Sequence, residues 1–252
     1  MAKSRRVQDI AASFFNDGHW YTLTSQSLGG MSPDALSEAL DDGTGEKIHN
    51  LMKQGVCLPL AFDADCAMDL YTRFVVGDLS EREEAEWIGR VQAPLHIPDG
   101  QFTLIAGGMP EHFEDVVNNE GDGFVTVEVE PGDYLLEVYA YLGSYTVNMH
   151  FEHPDDYETE DPAKAPSAVF LKSWWRQSRG DTPEPAWLAQ WQEEGYVDND
   201  DCEFLAYVVR LKKTTEPVPP PAQDKDYCWW VTAFAFRELP LCPQGIPFKT
   251  RR

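Results

Sequence analysis

His150 and His153, with Glu152, Asp155 and Asp156 around them, form the one metal-like cluster in the sequence. Metal ligation needs several nitrogen or oxygen donors converging on a point. Residues three apart on a strand face opposite ways, so convergence would require the chain to bend at Pro154. The pair therefore reads as structural histidines at a strand end, and no metal is expected. Asn118-x-Glu120-x-Asp122-Gly123 repeats half of a calcium loop, but the position of the bidentate acid falls on Val129, between Glu128 and Glu130. Gly43-Thr44-Gly45-Glu46-Lys47 lacks the spacing of a phosphate loop and a Ser or Thr after the lysine. Asp41 and Asp42 just before it would repel phosphate, so it reads as the approach to a helix. There is no H-E-x-x-H, no G-x-S-x-G, and no cysteine with a histidine partner close in sequence. Triads assembled from distant segments escape such a scan. Carboxylate pairs suited to glycoside hydrolysis abound among 43 acidic residues and so single out no site. No cofactor is expected.

Composition narrows the field further. The chain has 252 residues, 20 of them Lys or Arg against 43 Asp or Glu, for a net charge of −23. Lys3, Arg5, Arg6, Lys249, Arg251 and Arg252 sit at the two ends, where residues 1–6 and 249–252 hold no acid. The body keeps 14 basic residues against all 43 acids, a charge of −29. Such a field repels nucleic acid and anionic membranes and favours fast encounter with basic partners. No charge-free apolar run approaches the roughly 18 residues of a membrane helix. Hydrophobic residues at 42% and aromatics at 12% are too many for a disordered acidic chain. Five cysteines, with no C-x-x-C pair, do not make a disulfide scaffold at this length. Cys57, Cys66 and Cys228 lie in apolar runs and read as small core residues. The basic N-terminus leads into Val7-Gln8-Asp9 rather than an apolar signal core, and a cytoplasmic protein is expected.

These residues must be positioned by a mixture of short helices and strands. Val7, Ile10, Ala11 and Phe14 recur at helical spacing, closed by Gly18. Ser32 before Pro33 predicts a helix start, and Glu46–Gln54 a helix stopped by Gly55. Ser80 and Glu83 have capping-box spacing, with Trp87, Ile88 and Val91 as the apolar stripe of the helix that follows. Strands are predicted at Val56–Phe62 and Cys66–Val76 across Asp63-Ala64-Asp65, and at Phe102–Ala106 after Pro98-Asp99-Gly100. The clearest hairpin signal joins Phe124–Glu130 to Tyr134–Leu142 across Pro131-Gly132. Its Val125, Val127 and Val129 should be buried, with Thr126, Glu128 and Glu130 more exposed. Alternation at Tyr145, Val147, Met149 and Phe151 predicts another strand. Further strands are predicted at Ala168–Lys172, Phe204–Lys212 and Tyr227–Phe236, with a helix near Pro185–Glu194 and a stiff connection at Pro217–Pro221. The fold class is α+β, largely antiparallel with short, mostly N-terminal helices. Residues 1–252 read as one domain with a subdomain boundary in the acidic segment 152–166.

Two sets of side chains are the best candidates for recognition. The acidic set is Asp155, Asp156, Glu158, Glu160 and Asp161, joined by Asp198, Asp200 and Asp201. The aromatic set gathers in the last third: Trp174, Trp175, Trp187, Trp191, Trp229 and Trp230, with Trp175 and Trp191 as candidate anchors. In its acidity, its α+β pattern and its lack of catalytic motifs, the chain resembles bacterial immunity-type proteins. That resemblance implies an inhibitor covering a basic partner, such as a toxin, with carboxylates. Two other readings stay open: a small-molecule or carbohydrate binding domain using the C-terminal tryptophans, and a hydrolase with spatially assembled carboxylates.

Overall fold

The structure is a computed structural model that describes residues 5–10, 14–41, 45–62, 64–69, 71–198, 203–221, 234–238 and 243–248. Its first half contains β1 (Arg6–Asp9), β2 (Trp20–Ser25), α1 (Pro33–Leu40), α2 (Glu46–Lys53), β3 (Cys57–Ala61), β4 (Thr72–Val76), α3 (Glu81–Glu86), β5 (Gly89–Ile97), β6 (Gln101–Ala106) and α4 (Pro110–Asn118). Then follow β7 (Phe124–Glu128), β8 (Gly132–Ala140), α5 (Tyr145–Phe151), α6 (Pro166–Arg179), α7 (Ala186–Glu194), β9 (Tyr207–Lys213) and β10 (Ala235–Phe236). One sheet has the order β1-β4-β9-β8-β5-β10, the other β3-β2-β6-β7. Every described pairing is antiparallel except β4 with β9, so the class is α+β with a largely antiparallel framework. Four of the seven described helices precede residue 120, and the longest, α6, lies in the last third. No described helix is long and apolar enough to cross a membrane.

The sheets pack face to face over one contiguous core. Val125 and Val127 lie opposite Leu104 and Phe102, and the Phe102 ring meets Phe74 of β4 at 5.9 Å. The three valines are buried, Thr126 is half-buried, and Glu128 and Glu130 are exposed, as the alternation predicts. The same core continues through Val147, Phe151, Leu171, Trp187 and Trp191 into α5, α6 and α7.

Pro131-Gly132 does not close a hairpin. It carries the chain from β7 in the four-stranded sheet to β8 in the six-stranded one. Pro98-Asp99-Gly100 does the reverse between β5 and β6. The two corners are bonded together, Val129 N–H donating to Gly100 O at 2.8 Å. β3 and β4 likewise belong to different sheets, and among the described residues of the expected Cys66–Val76 strand the extended ones are Thr72–Val76.

Helices begin or end where the sequence carries a cap. Ser32 Oγ accepts the Ala35 N–H, Gly55 follows α2 at φ +71°, and Ser80 with Glu83 closes both halves of a capping box. α3 nevertheless stops at Glu86: Trp87 is extended, Ile88 lies between the elements, and Val91 belongs to β5. The expected helix around Val7 is instead the edge strand β1, paired to β4. Residues 145–151 and 168–172 are helical rather than extended. In α5 the apparent two-residue alternation conceals an i,i+4 pair, with Val147 and Phe151 both buried. In α6, Pro166 occupies the first turn, and Ala168, Leu171 and Trp175 form the buried stripe. Cys57 is buried, and Cys66 is half-buried at φ +59° in the turn before β4. Cys228 and most of the Tyr227–Phe236 strand lie outside the described residues.

Candidate partner-binding face

The segment after α5 is built from local caps. His153 precedes a 3₁₀ turn at Pro154–Glu158, Asp161 caps a second at Pro162–Lys164, and Pro166 then starts α6. Asp156 braces this path: one carboxylate oxygen accepts the His153 N–H at 2.8 Å, the other the Ser167 N–H at 3.1 Å. Partial burial opposes its ionisation, but these backbone donors outweigh that and hold the carboxyl below its ordinary range. Asp161 accepts the Ala163 N–H at 3.2 Å and pairs with Lys164 at 2.7 Å, which also lowers its pKa. Asp155 lies 3.7 Å from the His153 ring, and the Tyr157 hydroxyl donates to Glu152. Glu158 and Glu160 are exposed and enter no hydrogen bond or ion pair among the described residues. The acidic set therefore divides. Asp156 and Asp161 shape the segment, while Asp155, Glu158 and Glu160 present charge to solvent.

Asp198 belongs to the same region. Its neighbour Val197 is tied to α5 by Asn148, whose Nδ2 donates to Val197 O at 3.0 Å, and the Asp198 N–H donates to Gln190 at 3.1 Å. Asp200 and Asp201 lie outside the described residues.

The two expected anchors are inside the protein. Trp175 is 2% exposed and Trp191 0%, and Trp187 is equally buried. Trp175 and Trp187 meet edge to face at 6.0 Å, and Trp191 donates its indole N–H to Ser167 at 3.1 Å. In this conformation none offers a ring to a partner or a sugar. Trp229 and Trp230 lie outside the described residues.

A different aromatic row takes the surface position. Phe151, at the end of α5, touches buried Trp191 at 5.9 Å on one side and Trp174 at 5.9 Å and Phe170 at 6.4 Å on the other. Phe170 and Trp174 stand one turn apart on α6 with nearly parallel rings. Phe170 is 48% exposed and Trp174 half-buried. The His150 ring stacks on Phe236 at 3.7 Å, and burial lowers its pKa. Met149 on α5, Val169 on α6 and Tyr157 in the 3₁₀ turn between them add exposed apolar surface. Sequence reasoning missed Phe170 and Trp174 as a surface pair because it took 168–172 for a strand. Pro166 and the Ala168, Leu171, Trp175 spacing were the available signals.

The other clusters are structurally committed. Glu137 is buried beneath Arg210 at 3.0 Å and Arg90 at 3.5 Å, and Glu83 between Arg5 at 2.5 Å and Arg73 at 3.5 Å. Asp69 accepts from the Tyr21 hydroxyl at 2.6 Å. Burial pushes the Cys66 thiol up, reinforced by Asp69, Asp65 and Asp17, the opposite of what a nucleophile needs. In the cleft of about 410 Å³ between the β1 and β7 edges, Glu130 is paired to Lys213 at 3.2 Å. Among the described residues no three His, Cys, Asp or Glu side chains are arranged to hold a metal ion.

The chain matches no protein-family model and no curated protein in sequence. Among solved structures it is similar to a protein described as crocagin biosynthetic gene J, at 12% identity over 84% of this chain and 99% of the other, with a TM-score of 0.41. It is also similar to ComJ of Bacillus subtilis, an inhibitor of the DNA-degrading activity of NucA, at 8% identity over 85% and 98% of the two chains and a TM-score of 0.28. Likenesses this distant carry no assignment of function.

Proposed function

We propose that this chain is a non-enzymatic protein-binding module, an immunity-type inhibitor of a basic protein partner such as a toxin, and that it binds through the α5–α6 face. The observation that carries the reading is the junction of two features along one stretch of chain. Residues 152–161 hold solvent-facing carboxylates at Asp155, Glu158 and Glu160, and the helices on either side display Met149, Phe170 and half-buried Trp174. Long-range attraction from a chain of net charge −23 draws a basic partner in, and the acidic segment sets its orientation. Burial of the exposed rings then holds it. An aromatic buried at the centre of an interface contributes about 2 kcal/mol or more. Phe151 joins the surface rings to the core beneath them.

The test is affinity capture from the native host by the intact chain, run beside Phe170→Ala and a triple Asp155→Lys/Glu158→Lys/Glu160→Lys variant. A basic protein retained by the parent and released by both variants is the expected result. Capture indifferent to both, or turnover of a small substrate by the purified chain, would overturn the reading.

A further inference from the structure

Away from α5 and α6, a groove opens at the start of β2. It has a volume of about 430 Å³ and lies between residues 15–20, the β6–α4 turn and Gly123. That volume is within the range of small-molecule sites, which are mostly apolar with a few placed polar groups. Its floor is bare backbone. A Cβ on Gly107 would stand 2.3 Å from His112 Nδ1, and one on Gly108 would stand 3.6 Å from the Trp20 ring. Glycine at 107 therefore lets the imidazole close in on the main chain, whereas the indole lies at ordinary contact distance from position 108. Gly107 also sits at φ +79°, where a side chain is strained.

The rim is apolar and open. Phe15 is 62% exposed and Met109 54%, unusual for two large apolar side chains lining one hollow. His19 and His112 line the groove, and the one carboxylate among its described lining residues is Asp17. Asp65 lies 3.8 Å from His19, and no Lys or Arg is among the lining residues described. An aromatic and thioether surface beside a carboxylate attracts a cation by its ring faces and its charge together. An anion of the same shape would find no lysine or arginine among the described lining residues and would face Asp17.

From this geometry we infer that the groove lined by Phe15, Asp17, Trp20 and Met109 binds a free small organic cation, a flat aryl or alkyl body carrying an amidinium, guanidinium or ammonium group. The site does not depend on the proposed partner-binding face, and shares no residue with it.

Calorimetric titration of the intact chain with benzamidinium, benzoate and a capped arginine dipeptide tests this. Benzamidinium should bind saturably at one site, with benzoate about threefold weaker or worse, the difference an exposed cation–π contact provides. Phe15→Ala, Met109→Ala and Asp17→Asn should each weaken benzamidinium severalfold. All three side chains are exposed, so the variants should melt with the parent. Phe170→Ala should leave the titration unchanged, which separates this site from the α5–α6 face. Equal binding of benzoate, benzamidinium binding that survives Phe15→Ala and Asp17→Asn, no saturable binding, or tighter binding of the arginine dipeptide would each overturn the assignment.

Discussion

Two buried carboxylates respond to acid in opposite ways. Burial opposes ionisation of Glu83, but the Ser80 N–H and hydroxyl and the Arg5 guanidinium prevail, so its folded pKa lies below the ordinary 4.5. That stabilisation is fully present above pH 4.5 and is lost as pH falls through the folded value. Glu83→Gln should remove about 2 kcal/mol at pH 7, less than a fully buried pair because Arg5 and Arg73 keep some water. It should also flatten the acid limb of a stability profile measured by urea titration. Asp69 is the reverse case, since burial raises its pKa above 3.8 even though Tyr21 and the Asn16 N–H favour the charged form. Stability therefore declines as pH rises from 3.8 through its folded pKa. The Tyr21 hydroxyl donates to Asp69 and accepts the Met68 N–H at 3.0 Å. Tyr21→Phe strands both, for a loss of about 2 kcal/mol. The loss should be larger at pH 7 than at pH 3, because removing the hydroxyl raises the Asp69 pKa further. Equal losses at the two pH values would show that Asp69 does not ionise in the fold.

Caps and corners decide the elements. Ser144 Oγ accepts the Val147 N–H at 3.2 Å, and Ser144→Ala should destabilise by about 1 kcal/mol in a thermal melt. Gly100 sits at φ +73°, where a Cβ would lie 2.9 Å from the backbone oxygen of Val129. Gly100→Ala should therefore destabilise by about 2 kcal/mol, through left-handed strain and displacement of a carbonyl that cannot swing aside. What the sequence made legible at this scale was what short-range chemistry dictates. The Ser32, Ser80 and Gly55 signals and the Val125/Val127/Val129 face were all readable, because a cap or an alternation is decided by neighbours within a turn. Pro-Gly and Pro-Asp-Gly mark a reversal, but whether the next strand pairs with the last or crosses to another sheet depends on partners far away in the chain. The surface pair Phe170 and Trp174 was hidden by the same limit. A run such as Ala168-Val169-Phe170-Leu171 satisfies a strand and a buried helix alike until its flanks are weighed.

The whole molecule carries a net charge of −23. Under the proposed function, association should slow steeply as salt rises, because attraction is screened beyond about 10 Å at 0.1 M ionic strength. Reversing Asp155, Glu158 and Glu160 to Lys should lower the on-rate with little change in the off-rate, whereas Phe170→Ala should mainly speed dissociation. Asp156 does not belong in that experiment, since its brace to His153 and Ser167 makes any loss ambiguous. Stopped-flow binding at two salt concentrations separates the two effects, and a salt-independent on-rate would count against steering. The exposure of Asp155, Glu158 and Glu160 was legible in their run of acids and prolines. The exposure of Phe170 was not, because Trp175, Trp187 and Trp191, which stood out in the sequence, are used by the core.

The position of β9 has a consequence for how the protein is made. β9 lies between β4 and β8 and joins them only at Tyr207–Lys213, about 135 residues after its parallel partner. The four-stranded sheet can close once Glu128 has been synthesised, whereas β4 and β8 then wait with open edges for about 70 residues of translation after Ala140. At about 5–20 residues per second that is an interval of roughly 4–14 seconds. During it the growing chain presents two strand edges able to pair with any neighbour. A ribosome that stalls between α6 and β9 therefore holds a protein with one finished sheet and one split in two.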